Sequence, residues 1–423
     1  MQNNILLSGL LTQIRNLIHS REFLEEFRIQ NHFIRNRLLS MEKMVVYLLL
    51  HSKLSLDSRT ALLQGLLPDY DFPSVSRQAL SKARYGIRYE LFRELFEISV
   101  DYYYANRNIR KLWANKYHLF AIDGSIQEVP SSESTFEEFG KQHDYKNPTL
   151  FWSMALASIL YDVTDDIIVD AAIEHQFFSE RELALRHRTR FFDLGLQEDS
   201  IIIFDRGYYS AEAFCDWTSA GCKCLMRIKQ PNSLCSFEGY DVVKTVCAPD
   251  GTEMPCRLIK YPLPTAEIEY LITNVMDEDL TDEMFGELYF QRWKIETKYL
   301  EIKEHWKIEE FTGTGALAVR QDFFITMLHA NLAALIKQQA DEIIDRVSNP
   351  ANAYKYVARR TYIISSVHIN FVKWIIRSFT QNEIDEVILD ASKKRSQIKP
   401  NRSSERKRRT RARKHYNNRK STF

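Results

Sequence analysis

The chain has 423 residues but no run of the roughly 18 consecutive apolar residues that a membrane-spanning helix needs. A membrane span is therefore not expected. The opening residues, MQNNILLSGLL, lack the basic start and small-residue cleavage site of a secretory leader, so a cytoplasmic location is expected. Cysteine is scarce and confined: all six lie between Cys215 and Cys256, with no C-x-x-C pair and no histidine among them. That spacing argues against a structural zinc site and for reduced thiols in a cytosolic fold. No repeat of solenoid period is present. Net charge is nearly absent too, at +1, but the balance hides an asymmetry. Between Lys393 and Lys420 stand fourteen Lys or Arg against one Glu, which leaves the remainder near −12. A polybasic segment of this kind gives salt-dependent, sequence-independent affinity for phosphate backbones, or is simply solvated.

What is present is enough for two or three domains and a large core, since 45% of residues are hydrophobic and 12% aromatic. Residues 1–115 read as helical, with apolar residues recurring at helical spacing from Leu38 to Leu49 and from Leu91 to Ile98. Asp71-Phe-Pro-Ser interrupts them and offers Ser74 as a helix N-cap. The helix that follows carries small and polar residues and suits the recognition helix of a helix-turn-helix, with Arg77, Gln78, Lys82 and Arg84 toward a groove. An ordinary surface helix fits equally well.

From residue 116 the pattern changes to short apolar runs: H-L-F-A-I-D, F-W-S-M-A-L-A-S-I-L, D-I-I-V-D-A-A-I and S-I-I-I-F-D. Such runs are characteristic of buried strands. A charged amphipathic helix from Ser179 to Leu194 precedes the fourth run. A helix from Ser210 to Ala220 and a fifth strand, C-K-C-L-M-R-I-K, follow it. Three strands, a helix, a strand, a helix and a strand is the order of a ribonuclease H-like α/β core. The predicted organisation is a helical N-terminal DNA-binding domain (1–115), a core in two parts (116–229 and 277–345), a β-rich insertion between them (230–276), a helical C-terminal region (346–392) and a disordered basic tail (393–423). Helices are expected over 282–304, 319–345 and 351–390.

Asp123 is expected to end the first strand and Asp205 the fourth. In the ribonuclease H order these strands are neighbours, and side chains at carboxyl strand ends converge on one crevice. Gly124 and Gly207 follow closely and leave room for a phosphodiester. A lone strand-end Asp is more often a cap or turn residue, so the pair gains meaning only with a third acid. That acid is Glu296, on a helix that also carries Tyr289, Arg292 and Lys303. Steps of +3, +7 and +14 from Tyr289 are each close to whole helical turns and place all four on one face. The bland alternative is a solvated Arg292–Glu296 i,i+4 pair.

Y-F-Q-R-W-K-I-E-T-K-Y-L-E-I-K contains the complete Y-x-x-R-x-x-x-E-x-x-x-x-x-x-K signature and resembles the insertion-sequence-four family of bacterial DDE transposases. The D-G-S at Asp123 and the D-R-G-Y-Y-S at Asp205 resemble that family's first two catalytic blocks. The resemblance covers most of the chain. It implies that Asp123, Asp205 and Glu296 hold two Mg²⁺ ions, with Mn²⁺ able to substitute. Such ions flank an in-line displacement at about 3.5–4 Å from one another. It further implies that Tyr289, Arg292 and Lys303 contact terminal DNA phosphates. Double-stranded DNA, as terminal inverted repeats and as target, would be the partner, and a homodimer would act on paired ends. Arg206 and Trp293 are further candidates for DNA contact, Trp293 and Tyr270 for holding a flipped base. Lys141, His143, Tyr145 and Lys146 form a basic-aromatic cluster expected in a loop. Two other readings fit parts of the sequence: a ribonuclease H-like nuclease without strand transfer, and a non-catalytic DNA-binding regulator.

Overall fold

Serine and threonine side chains start most of the helices, and the apolar runs between them form one sheet. The computed structural model describes residues 4–34, 38–50, 56–107, 112–143, 147, 149–263, 267–349 and 351–398. The chain begins with helices α1 (Asn4–His19), α2 (Arg21–Glu26), α3 (Met41–Leu49), α4 (Leu56–Leu66), α5 (Arg77–Arg84) and α6 (Glu90–Asn106). The cap of α5 is Ser76, whose hydroxyl accepts from the Ala79 amide, and not the predicted Ser74. Ser76 has the extended backbone an N-cap requires and stands immediately before the first helical residue.

Strand β1 (His118–Val129) is followed by α7 (Glu133–Phe139), the short β2 (Lys141–His143), β3 (Phe151–Asp162) and β4 (Ile167–His175). Then come α8 (Glu180–Asp193), β5 (Ser200–Phe204), α9 (Ala211–Ser219) and β6 (Lys223–Arg227). β3 pairs antiparallel with β1 and β4, while β1, β5 and β6 run parallel to one another. The fully buried pattern of β5 is what a strand covered on both faces requires. Strands β7 (Asp241–Cys247), β8 (Glu253–Pro262) and β9 (Ile268–Thr273) extend this sheet instead of forming a separate one, because β9 pairs antiparallel with β6. The result is a mixed α/β molecule around a nine-stranded mixed sheet. All six cysteines are free thiols; Cys247 is exposed and the rest are buried.

The predicted helix over 282–304 is two segments, α10 (Asp282–Gln291) and α11 (Trp293–Glu304). Arg292 keeps helical angles, but the Arg292 amide bonds the Tyr289 carbonyl and the Ile295 amide bonds the Arg292 carbonyl. These i→i+3 bonds tighten the turn locally. Gly286 lets α10 lie directly on β8, since a Cβ there would sit 2.0 Å from the Tyr261 ring. Helix α12 (Ala316–Val347) follows, 32 residues or roughly 48 Å long, and is buried over most of its first six turns.

The single helix predicted over 351–390 is instead a strand, β10 (Lys355–Ala358), with helices α13 (Arg360–Ile376) and α14 (Gln381–Lys393). Thr380 starts α14 through a capping box with Glu383, and this breaks the apparent periodicity. Residues 395–398 form β11 (Arg395–Ile398) against β10, so the first part of the basic segment is ordered, contrary to expectation. The remainder of that segment, 399–423, lies outside the described residues. A continuous core runs from Leu7 to Ala391, with α1 and α6 packed on α12 and α1 also on α13 and α14. Among the described residues no helix is long and apolar enough to cross a membrane.

Candidate active site

Asp123 does not end its strand: β1 continues to Val129. What ends there is the parallel ladder, whose last pair is Ile122 with Phe204. Beyond it the chain of β5 turns away at Asp205, where the Tyr208 amide bonds the Asp205 carbonyl. β1 continues with only β3 beside it and turns from buried to partly exposed at Asp123. Asp123 and Asp205 therefore each follow the last pair of the parallel ladder, on neighbouring strands about 4.8 Å apart, where that ladder ends.

Helix α11 supplies the third acid. The Tyr299 hydroxyl, one turn after Glu296, donates to the Asp123 backbone carbonyl at 2.8 Å and to that of Ala157 at 3.2 Å. This fixes α11 across β1. At the tightened turn Arg292 points inward and is only 4% exposed. Its guanidinium lies 3.0 Å from Glu296 and 3.9 Å from Asp205. The Tyr289 hydroxyl donates to Asp205 at 3.1 Å. The guanidinium also faces the rings of Tyr289 and Trp293 at 5.5 and 5.3 Å. Burial opposes the charge on Arg292, yet Tyr289, Asp205, Glu296 and Asp123 hold its pKa above the ordinary value. Burial also raises Asp123 to about 7, against the attraction of Arg292, and the charges of Glu180 and Asp205 add to the rise. Three carboxylates thus gather around the Arg292 guanidinium.

Among the other predicted residues, Lys303 donates its ammonium to the Ile126 carbonyl at 2.7 Å, farther along β1 from Asp123. Arg206 is exposed on the loop after Asp205, and Trp293 is 42% exposed. Tyr270 packs edge-on against Phe237. Gln78 and Lys82 are exposed on α5, and Arg77 is paired with Asp57. Arg84 does not face a groove. It is 6% exposed and donates to Gln321, Thr312, Asp322 and the Ala318 carbonyl. The nearest acceptors lie on α12 and the loop before it, so the helix face that carries Arg84 turns inward. Lys141 and His143 lie in strand β2, not in a loop, because their backbone pairs with β3. Tyr145 and Lys146 lie outside the described residues.

Sequence reasoning missed several neighbours. Glu180, at the start of α8, presses its carboxylate onto Gly124, and Tyr208 is buried beside it. Arg227 ends β6 and pairs with Glu269 at 3.1 Å, and the charge of Glu269 is felt at Asp205 and Arg292. Two other clusters are structural. Ser158, His187 and Asp170 are joined at 3.0 and 2.8 Å, but Ser158 and His187 are fully buried and tie α8 to the sheet. His118, Asp162 and Asp165 gather near the opposite end of β1, roughly 17 Å along the strand from Asp123. Arg107 donates to Asp165 at 2.8 Å and Tyr104 to Asp162 at 2.7 Å, so that acid pair already has its cation.

A family model described as the transposase DDE domain matches residues 114–332, a segment that holds Asp123, Asp205 and Glu296. The chain is 26% identical over 289 residues to the transposase InsG for insertion sequence element IS4 of Escherichia coli (strain K12). That match covers 64% of this chain and 63% of the relative's length. Among solved structures, a cryo-EM structure of a piggyBac transposase synaptic complex with hairpin DNA is similar at 9% identity, with a TM-score of 0.49. It covers 90% of this chain and 85% of that one. With the family model spanning more than half of its residues, this chain belongs to the transposase DDE domain family.

Proposed function

We propose that the protein is a metal-dependent DNA transposase that cuts DNA at the ends of an insertion sequence and joins the freed ends to target DNA. The observation that carries this reading is the meeting of Asp123, Asp205 and Glu296 around the Arg292 guanidinium. Strand order and connectivity support a ribonuclease H-like core, with β1 and β5 side by side. The donor set is all carboxylate, which suits a hard divalent cation such as Mg²⁺. Arg292 already holds a positive charge among these groups, as a site shaped for a cation would. When bound, two such ions activate the attacking oxygen and stabilise charge on the leaving 3′ oxygen.

The remaining roles belong to the chain. Asp123, Asp205 and Glu296 hold the ions. The Tyr289 hydroxyl orients Asp205. Arg292, kept in place by two aromatic rings, binds a phosphate beside the scissile bond with its planar fork. Lys303 and Arg206 extend the cationic surface, and Trp293 offers an exposed ring to DNA. Gln78, Lys82 and, on release of Asp57, Arg77 contact duplex DNA from α5; Arg84 is withdrawn from this role. A homodimer holds two ends together.

The test is incubation of the purified protein with Mg²⁺, DNA bearing the element's own ends and a target plasmid. End cleavage with joined products supports the proposal. Hydrolysis without joining points to a nuclease, and binding without cleavage to a regulator.

A further inference from the structure

Tyr299 stands one turn after Glu296 on α11, and its side chain is buried. Its hydroxyl meets the backbone of two neighbouring strands. It donates to the Asp123 carbonyl at 2.8 Å, with the Ala157 carbonyl next at 3.2 Å, and it accepts from the Ile159 amide. Asp123 pairs with Ile159 and Ser125 with Ala157, so these groups lie together on the β1–β3 pair, where β1 has just lost β5. A phenol has one proton to give and lone pairs to share. Backbone groups take up both, so this hydroxyl has little left for DNA or for an ion. It acts through what it holds.

What it holds is close to the chemistry. The Asp123 carbonyl carbon is bonded to the Cα that carries the first carboxylate, and Glu296 is three residues from Tyr299 on the same side of α11. Beyond the tightened turn at Arg292, Tyr289 of α10 bonds the Asp205 carboxylate instead. Each helical segment thus sends one tyrosine to one aspartate. Groups that work together in a site must hold their places to within about 0.5 Å, and Mg²⁺ demands near-ideal octahedral geometry. A tie between α11 and the backbone of Asp123 therefore bears directly on how well Glu296 and Asp123 can share ions.

Resting on the three-acid reading given above, we propose that Tyr299 is a positioning residue of the site, its hydroxyl setting Glu296 against Asp123 before metal or DNA arrives.

The test compares Tyr299→Phe with a matched control, Thr273→Val, in the full-length protein. The Thr273 hydroxyl is also buried, donates to the Cys224 carbonyl at 2.7 Å and accepts from the Val275 amide at 3.1 Å, but it lies on β9, three strands from β1. Mn²⁺ alone is titrated calorimetrically into each protein without DNA. End binding, end cleavage with Mg²⁺ and melting temperature are read on the same preparations. Y299F is expected to raise the Mn²⁺ dissociation constant about tenfold and to slow cleavage by a similar factor, as loss of a group supporting a metal ligand does, with end binding unchanged. T273V is expected to melt earlier than wild type with metal affinity and cleavage unchanged. In a Glu296→Gln background Y299F is expected to add little further loss of Mn²⁺ affinity, because α11 then has no carboxylate to place.

Mn²⁺ binding by Y299F as tight as that of wild type, while Asp123→Asn binds weakly, overturns the proposal and leaves the three-acid site standing. An equal effect of Y299F in both backgrounds also overturns it. So does a Y299F chain that fails to fold while T273V folds, since the hydroxyl would then hold the fold rather than the site. No saturable Mn²⁺ binding by wild type overturns the three-acid reading and this proposal together.

Discussion

Arg84 and Lys82 sit two residues apart on α5, yet chemistry separates them. Arg84 makes four buried hydrogen bonds, one of them to Asp322 at 2.7 Å, while Lys82 is exposed. Arg84→Ala removes the ion pair to the buried Asp322 and should lower stability by roughly 3–5 kcal/mol. Lys82→Ala should stay within about 0.5 kcal/mol of wild type. Urea unfolding of both variants checks this, and equal stabilities would contradict the structural role given to Arg84. Tyr289→Phe removes one hydrogen bond to Asp205, the kind worth about 1.5–3 kcal/mol when its acceptor is charged. End cleavage should fall by at least about tenfold with the fold intact, and a wild-type rate would remove Tyr289 from the site. At this scale the sequence showed which acids to look for, because residue type and spacing carry that information. It did not distinguish Arg84 from Lys82, since burial depends on α12, more than 200 residues away.

Helix α11 has to hold Glu296 over β1, and a buried ionic cluster anchors its middle. Lys298 lies 2.6 Å from Asp166 and 3.4 Å from Glu301, and Arg360 of α13 pairs with both acids. Asp166 stands in the β3–β4 turn with φ of 63°, a conformation Asp tolerates better than most residues. Burial alone would raise its pKa, but Lys298 and Arg360 outweigh it and hold the carboxyl below its ordinary 3.8. A depressed folded-state pKa means that the stabilisation is complete above the unfolded value and is lost as pH falls through the folded one. Asp166→Asn should therefore cost roughly 3 kcal/mol near neutrality, with the gap to wild type narrowing below about pH 4. Melting temperatures of both proteins between pH 7 and pH 3 measure this; a gap that widens on acidification would contradict it. The periodicity of 282–304 predicted a helix but not the tightened turn at Arg292, which comes from packing against Asp205 and the aromatic rings. Likewise, residues 351–390 kept helical spacing across a strand and a cap, because apolar periodicity persists wherever successive elements face the same core.

On the scale of the whole molecule, the order of strands and helices from His118 to Arg227 was legible because each buried strand is a short apolar run set off by a capped helix. The continuity of β7–β9 with the central sheet was not legible, since partner choice between strands leaves no local mark. Neither was the sharing of one core by α1, α6 and α12–α14. The assembled crevice draws one acid from β1, one from the turn after β5 and one from α11, and only the complete fold brings them together. The most direct measurement of that claim compares wild type with Glu296→Gln on labelled DNA bearing the element's ends, with Mg²⁺ present and with binding and cleavage read in the same tubes. E296Q is expected to bind the ends nearly as wild type does and not to cut them. Cleavage by E296Q at a rate near that of wild type would contradict it.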